Sequence, residues 1–139
     1  MSAQLGIEVS AEIENLGPLL DKLDAFGETH AWSAEAMYHV RLVVEEMVIN
    51  VIDYGGTAGK PRPVVQIELR QLACLLQLRL SDNGIAFDPT AQAEPDLELS
   101  LDDRPIGGLG VHFLRTFMDS VSYARDGCWN RLSFSKQVC

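Results

Sequence analysis

The sequence predicts an α+β fold, a two-layer α/β sandwich with helices on one face of a mostly antiparallel mixed sheet. Apolar residues recur with helical spacing through the first third of the chain, and two segments near its middle alternate between apolar and polar residues. The chain has 139 residues, a usual length for one domain. Its 47% hydrophobic and 22% charged residues are ordinary globular values, so we expect a single domain over residues 1–139.

The first third of the chain predicts one strand and two helices. The strand is predicted over 4–9 and the first helix over 13–32. The apolar residues with helical spacing in this first helix are Leu16, Leu19, Leu20, Leu23 and Phe26. Ser33 is typical of a helix N-cap and begins a second helix, which extends to about Asp53 and is ended by the glycine pair at 55–56.

The other strands are predicted from alternation and from turn residues. Residues 64–71 and 76–80 each place apolar side chains on one face and polar ones on the other, as half-buried antiparallel neighbours do. Residues 121–123 and 131–135 predict a last hairpin, with Asp126-Gly127 in its turn.

A long segment without periodicity lies between these strand pairs. Residues 88–106 contain Pro89, Pro95 and Pro105, several acidic residues and no regular apolar spacing. A loop of this length within a compact domain is uncommon unless it is a lid or disordered. We interpret it as a lid, followed by a third helix before the last hairpin.

The charge of the chain excludes one class of partner. There are 11 basic residues against 20 acidic ones, which gives a net charge of −9. Nucleic-acid binding needs clustered Lys and Arg against phosphates, so we expect no nucleic-acid partner. A small anion remains compatible with this charge, because screening confines surface repulsion to about 8 Å at physiological salt.

The cysteines and the apolar runs predict the compartment. Cys74, Cys128 and Cys139 are odd in number and widely spaced, without a Cys-x-x-Cys pair. We therefore expect reduced thiols in a reducing compartment, with no disulfide framework and no zinc site. The N-terminus lacks a signal-peptide pattern, and the longest apolar runs are far shorter than the roughly 20 residues of a membrane span. These observations predict a cytoplasmic protein without a membrane partner.

The second helix carries a polar strip. At about 100° per residue, Glu46, Asn50 and Asp53 lie together opposite the apolar stripe, with apolar residues at both edges. An asparagine oxygen suits Mg²⁺, and a carboxylate one turn earlier can accept a proton from a nucleophile near that metal. The strip predicts one wall of a cleft. The alternative is the exposed back of a helix with a few stray apolar residues.

Asp82 ends the second alternating strand. The alternation directs its side chain to the buried face, where an unpaired carboxylate is costly. A ligand amino group, such as that of adenine, is one suitable partner. The alternative is that residues 82–84 (Asp-Asn-Gly) are only a turn, for which this triplet is well suited.

A glycine-rich run lies at residues 107–110, just before an amphipathic segment. Glycines let the backbone approach a ligand closely, and the start of a helix presents free N–H groups to phosphates. The run is neither a Walker A loop nor a dinucleotide-binding fingerprint. The alternative is a glycine-rich start to an ordinary amphipathic helix.

Together these motifs resemble the ATPase superfamily of DNA gyrase, the ninety-kilodalton heat-shock protein, sensor histidine kinases and mismatch-repair ATPases. Residues 45–50 resemble its N box, 82–89 its first glycine box, and 107–110 its second. Within that superfamily, which has the histidine kinase-like (Bergerat) fold, the chain is most similar to the small anti-sigma-factor serine/threonine-protein kinases. The likeness covers about residues 5–135.

The resemblance implies roles for the matching residues. Glu46 is the implied general base, Asn50 the Mg²⁺ ligand, and Asp82 the residue that binds adenine. The other nucleotide contacts that we expect are Asp53, Gly84, Phe87, Gly107, Gly108, Leu109, Gly110 and Arg104. Ala86 stands where the first glycine box often has a second glycine, which implies a stiffer loop beside the adenine.

The function implied is that of an ATP- and Mg²⁺-dependent protein-serine kinase that phosphorylates a STAS-type antagonist, binds a sigma factor and regulates transcription by partner switching. A homodimer is implied as well. Two alternatives remain open: a nucleotide-gated binding module without phosphotransfer, and a catalytic domain detached from a sensor histidine kinase. None of His30, His39 and His112 begins the pattern of a phospho-accepting helix, which disfavours a self-contained sensor kinase.

Overall fold

The computed structural model describes residues 2–91 and 108–139. Elements within these ranges follow the predicted order. The strands are β1 (Ser2–Ser10), β2 (Val64–Leu72), β3 (Leu75–Asp82), β4 (Ser120–Asp126) and β5 (Trp129–Gln137). The α-helices are α1 (Leu16–Thr29), α2 (Ala34–Tyr54) and α3 (Gly108–Phe117). Most of the predicted lid, 88–106, lies outside the described residues.

The five strands form one sheet in the order β1-β2-β3-β5-β4, and each neighbouring pair is antiparallel. Alternation along the central strands directs one set of side chains inward, so that Leu69, Leu78 and Phe134 lie side by side in register. These residues share one apolar core with the buried faces of α1 and α2. The predicted α+β sandwich is confirmed. Within the described ranges, no helix is long and apolar enough to cross a bilayer.

α2 is fixed at both ends, and it is this helix that reaches the candidate site. Ser33 has the extended conformation of an N-cap, and its hydroxyl oxygen accepts a hydrogen bond from the Ala36 N–H at 3.1 Å, as predicted. The Ser33 N–H also donates to the carbonyl of Val138 at 2.7 Å. At the other end, the Gly55 N–H donates to Val51 O at 2.9 Å.

The prediction of three reduced cysteines is wrong for two of them. Cys74 and Cys139 form a disulfide, with their Cα atoms 5.2 Å apart, whereas Cys128 is free and exposed. The reason is the pairing of β3 with β5, which places Leu75 opposite Gln137 and so brings the residues beyond them together. Spacing along the chain carries no information about such a pairing. The expectation of a reducing compartment, which was based on three free thiols, loses that support.

Removal of this disulfide is expected to destabilise the fold. The bond joins residues 65 positions apart, and closing a loop of this size in the unfolded chain is worth about 2–4 kcal/mol. We expect Cys74→Ser to lower the free energy of unfolding by about that amount in urea denaturation. Cys128→Ser is the matched control, because that thiol is exposed and unbonded. Equal stability of the two variants would contradict the prediction.

Candidate functional site

A cavity of about 320 Å³ lies between α2, β3, β5 and the loop that follows β3. Its walls are mostly apolar, and Met47, Leu80 and Leu132 contribute from the three elements. The polar side chains that reach it are those of Asn50, Tyr54, Asp82, Tyr123 and Asn130. Largely apolar walls with a few convergent polar groups are typical of sites for small organic ligands, whose volumes start at about 300 Å³.

Asp82 is the last residue of β3, lines the cavity and is only 7% exposed. Its Oδ1 accepts hydrogen bonds from the Gly84 N–H at 2.9 Å and from Asn130 Nδ2 at 3.0 Å. Among the described residues, no group donates to Oδ2. Burial raises the pKa of the Asp82 carboxyl, and the two hydrogen bonds and the charge of Arg125 partly offset that rise. The carboxylate therefore has one oxygen left to accept a hydrogen bond from a ligand.

Asn50 contributes a second unused polar group to the same cavity. It lies on α2, and its side-chain nitrogen Nδ2 is buried without a hydrogen-bond partner among the residues described. A buried polar group without a partner is uncommon, because it costs about 1–3 kcal/mol. A polar ligand in the cavity would provide the missing partner.

The loop after β3 is held against the end of α2. A Cβ on Gly84 would lie 2.6 Å from the carbonyl oxygen of Gly55, so any side chain at this position would force the loop away from the helix. The Ile85 N–H donates to the same Gly55 oxygen at 3.0 Å, and Arg125 Nη1 donates to Gly84 O at 3.0 Å. Gly84 is outside the cavity lining and instead fixes the position of that loop.

Asn130, which was not among the residues predicted from the sequence, pairs with Asp82 across the β3–β5 register and is only 5% exposed. Its Nδ2 donates to Asp82 Oδ1 and to Ile85 O, and its Oδ1 accepts from the N–H of Phe87 and the hydroxyl of Tyr123. A polar residue in the inward row of β5, in which Leu132 and Phe134 follow at alternate positions, was the available signal.

The predicted residues on α2 do not all reach the cavity. Glu46 is half-buried one turn before Asn50 and is outside the lining, and Asp53 is exposed to solvent and is also outside it. Burial and the neighbouring Glu45 carboxylate raise the pKa of Glu46. Phe87 lies at the cavity and is 40% exposed.

The glycine-rich run is only partly described. α3 begins at Gly108, so Gly108, Leu109 and Gly110 form its first turn, whereas Gly107 and Arg104 lie outside the described residues. α3 packs on α2 through Phe117, whose ring stacks on His39 with the centroids 3.9 Å apart.

A family model for histidine kinase-like ATPase domains matches residues 9–136. The chain belongs to this family. The match agrees with the resemblance that the three motifs indicate, and it includes each residue that lines the cavity. Membership in the family implies use of ATP, and the apolar walls fit such a ligand. Asp82 Oδ2 and Asn50 Nδ2, which have no hydrogen-bond partner among the described residues, fit it as well.

Relatives of this histidine kinase-like domain include protein kinases and anti-sigma factors. The chain is 36% identical over 104 residues to the serine/threonine-protein kinase BtrW of Bordetella bronchiseptica, covering 75% of this chain and 72% of that protein. It is 26% identical to the anti-sigma F factor of Clostridium perfringens, with 87% and 86% covered. It is also 26% identical to the serine-protein kinase RsbW of Listeria monocytogenes, with 88% and 78% covered. These names confirm the predicted family and support ATP-dependent serine/threonine kinase activity.

Two solved structures share the fold of this histidine kinase-like domain. One contains the RsbU and RsbW domains of a Mycobacterium tuberculosis protein, with a TM-score of 0.70 and 9% identity over 98% of this chain and 32% of that chain. The other is the histidine kinase domain of a blue-light-activated kinase from Erythrobacter litoralis, with a TM-score of 0.53 and 15% identity over 88% and 61%. At these identities the likeness is one of fold.

Proposed function

We propose that this chain is an ATP-dependent protein-serine kinase that phosphorylates a STAS-type antagonist, binds a sigma factor and regulates transcription by partner switching. The observation that carries the proposal is the apolar cavity with two polar atoms, Asp82 Oδ2 and Asn50 Nδ2, that lack a hydrogen-bond partner among the described residues. The names of the relatives, a serine/threonine kinase and an anti-sigma factor among them, support it. The homodimer that the resemblance implies belongs to the same proposal.

The adenine end of the site is the apolar part of the cavity. The faces of the adenine ring pack against the side chains of Met47, Val51 and Leu132. This contact removes the apolar surface of the ring and that of the side chains from water. Asp82 accepts a hydrogen bond from the amino group of adenine through Oδ2, the oxygen to which no described residue donates. Gly84 holds the loop beside the base in place by its contact with Gly55.

The phosphate end is formed by α2 and the first turn of α3. The side-chain oxygen of Asn50 would hold Mg²⁺, a metal that takes oxygen ligands and keeps several waters. When bound, Mg²⁺ offsets the negative charge of the phosphates. The N–H groups at Gly108 and Gly110 are in the first turn of a helix, where backbone donors are free to bind phosphate oxygens.

Glu46 is the general base of the proposed reaction. The serine oxygen of the partner forms a bond to the γ-phosphorus as the bond from that phosphorus to the ADP oxygen breaks, and the serine proton passes to the Glu46 carboxylate. Glu46 lies one turn before Asn50 and outside the cavity lining. This position is consistent with a role at the transferred phosphoryl group and not at the adenine ring. Its raised pKa makes it a better proton acceptor than an exposed glutamate.

The test is mass spectrometry of a STAS-type antagonist after incubation with this chain and Mg·ATP. We expect one phosphoryl group on a serine of the antagonist, and none when that serine is replaced by alanine. Tight binding of ATP without phosphorylation of any partner would favour the nucleotide-gated binding module instead. Transfer to a histidine would favour the detached catalytic domain of a sensor kinase.

A further inference from the structure

The side chain of Asn130 joins the residue proposed to bind adenine to the loop that borders the cavity. Its Nδ2 donates to Asp82 Oδ1 at 3.0 Å and to Ile85 O at 2.8 Å. Its Oδ1 accepts from the Phe87 N–H at 3.2 Å and from the Tyr123 hydroxyl. An amide side chain has two N–H donors and two acceptor lone pairs, so each of its hydrogen-bonding positions is used. Rotation of the amide would break these bonds inside a buried site.

We propose that Asn130 is a positioning residue that orients Asp82 and thereby sets the preference of the site for a purine with a 6-amino group. This inference rests on the proposed function. Asn130 acts through Asp82 and Ile85, and nothing in the proposal requires it to touch the nucleotide.

The two oxygens of Asp82 have different surroundings. Asn130 and the Gly84 N–H both donate to Oδ1, which fixes the plane of the carboxylate and leaves Oδ2 for the cavity. Two donors on one oxygen also favour the ionised carboxylate, which can only accept hydrogen bonds. An acceptor-only group binds an amino substituent on the purine and discriminates against a purine without that donor, because its own hydrogen bond is then left unmade.

Asn130 also fixes the loop that follows β3. Asn130 donates to the carbonyl oxygen of Ile85 and accepts from the N–H of Phe87, and both residues line the cavity. The Asn130 amide therefore fixes the Asp82 carboxylate and the loop wall of the cavity relative to each other. The Tyr123 hydroxyl donates to Asn130 Oδ1 and has no hydrogen bond to Asp82, so Tyr123 is a suitable control position.

The experiment compares ATP with purine riboside triphosphate, which lacks the 6-amino group, by calorimetric titration of the full chain. We expect the wild type to prefer ATP. In Asn130→Ala the affinity for ATP should fall about 10-fold or more, while the affinity for the analogue changes much less, so that the preference collapses. Tyr123→Phe, which lines the same cavity and keeps the Asn130–Asp82 bond, should retain the preference.

Asn130→Leu guards against the cavity that the alanine variant leaves. It preserves the approximate size of the side chain but cannot donate to Asp82, so the preference for ATP should also fall. Equal weakening of both nucleotides in the two Asn130 variants, with the preference intact, would mean a purely structural role and overturns this inference alone. A wild type that binds ATP and the analogue equally overturns the inference together with the assignment of Asp82.

Discussion

Replacing Glu46 with glutamine is expected to slow phosphotransfer by a factor of about 100 to 10,000, while the affinity for Mg·ATP stays near that of the wild type. The reason is that a general base acts in the transition state and contributes little to ground-state binding. Glutamine preserves the size and polarity of this half-buried side chain, so the fold should be retained. Single-turnover phosphorylation and nucleotide affinity, measured on the same preparations, separate the two effects.

Asn50→Ala is the comparison, because the loss of a metal ligand should weaken both nucleotide affinity and transfer. The pH profile adds an independent readout. Burial and Glu45 raise the pKa of Glu46, and the base must be ionised, so transfer by the wild type should fall as the pH drops through a value above that of an exposed glutamate. Glu46→Gln should lack this acid limb. A wild-type rate in Glu46→Gln would contradict the assignment.

Replacing Asp82 with asparagine is expected to weaken nucleotide binding about 10- to 150-fold, because a hydrogen bond to a charged group is worth about 1.5–3 kcal/mol. The increase in thermal midpoint that ATP produces in the wild type should largely disappear in the variant. Calorimetric titration with Mg·ATP and thermal denaturation with and without nucleotide measure both effects. An unchanged dissociation constant would mean that residues 82–84 are only a turn.

The same substitution should leave the free protein at least as stable as the wild type. Because the pKa of Asp82 is raised in the folded state, the stability associated with its protonated form is present at low pH and lost as the pH rises through that value. Asparagine has no such titration, and its side-chain oxygen can still accept from Gly84 and Asn130. A large drop in the thermal midpoint of the free variant would indicate that the charge itself holds the loop.

The parts of the fold that local rules govern could be predicted from the sequence. Ser33 begins α2 because its hydroxyl satisfies a free N–H within three residues, a relation visible in the order of residues alone. The alternation along β3 predicted that Asp82 points inward, and it is buried beside the cavity. Asp53 shows the limit of this reasoning, since the helical angle groups it with Asn50 but neighbouring elements leave it exposed.

The features that the sequence could not predict depend on strand register between distant segments. Asn130 meets Asp82 only because β3 and β5 pair at that register, although the two residues are 48 positions apart in the chain. The disulfide between Cys74 and Cys139 has the same origin at the opposite ends of the two strands. No local spacing distinguishes Asn130 from an exposed asparagine, or Cys74 from the free Cys128.

The pairing of β3 with β5 also determines when during folding the cavity can exist. β2 and β3 form a local hairpin, but β5 must find β3 across residues 83–128, and such non-local contacts form slowly because their loop must close first. Until β5 docks, Asp82 lacks the Asn130 donor and the cavity lacks the wall that Leu132 supplies. Nucleotide can therefore recognise only the completed sheet, and in a refolding experiment its binding would lag behind the appearance of helix.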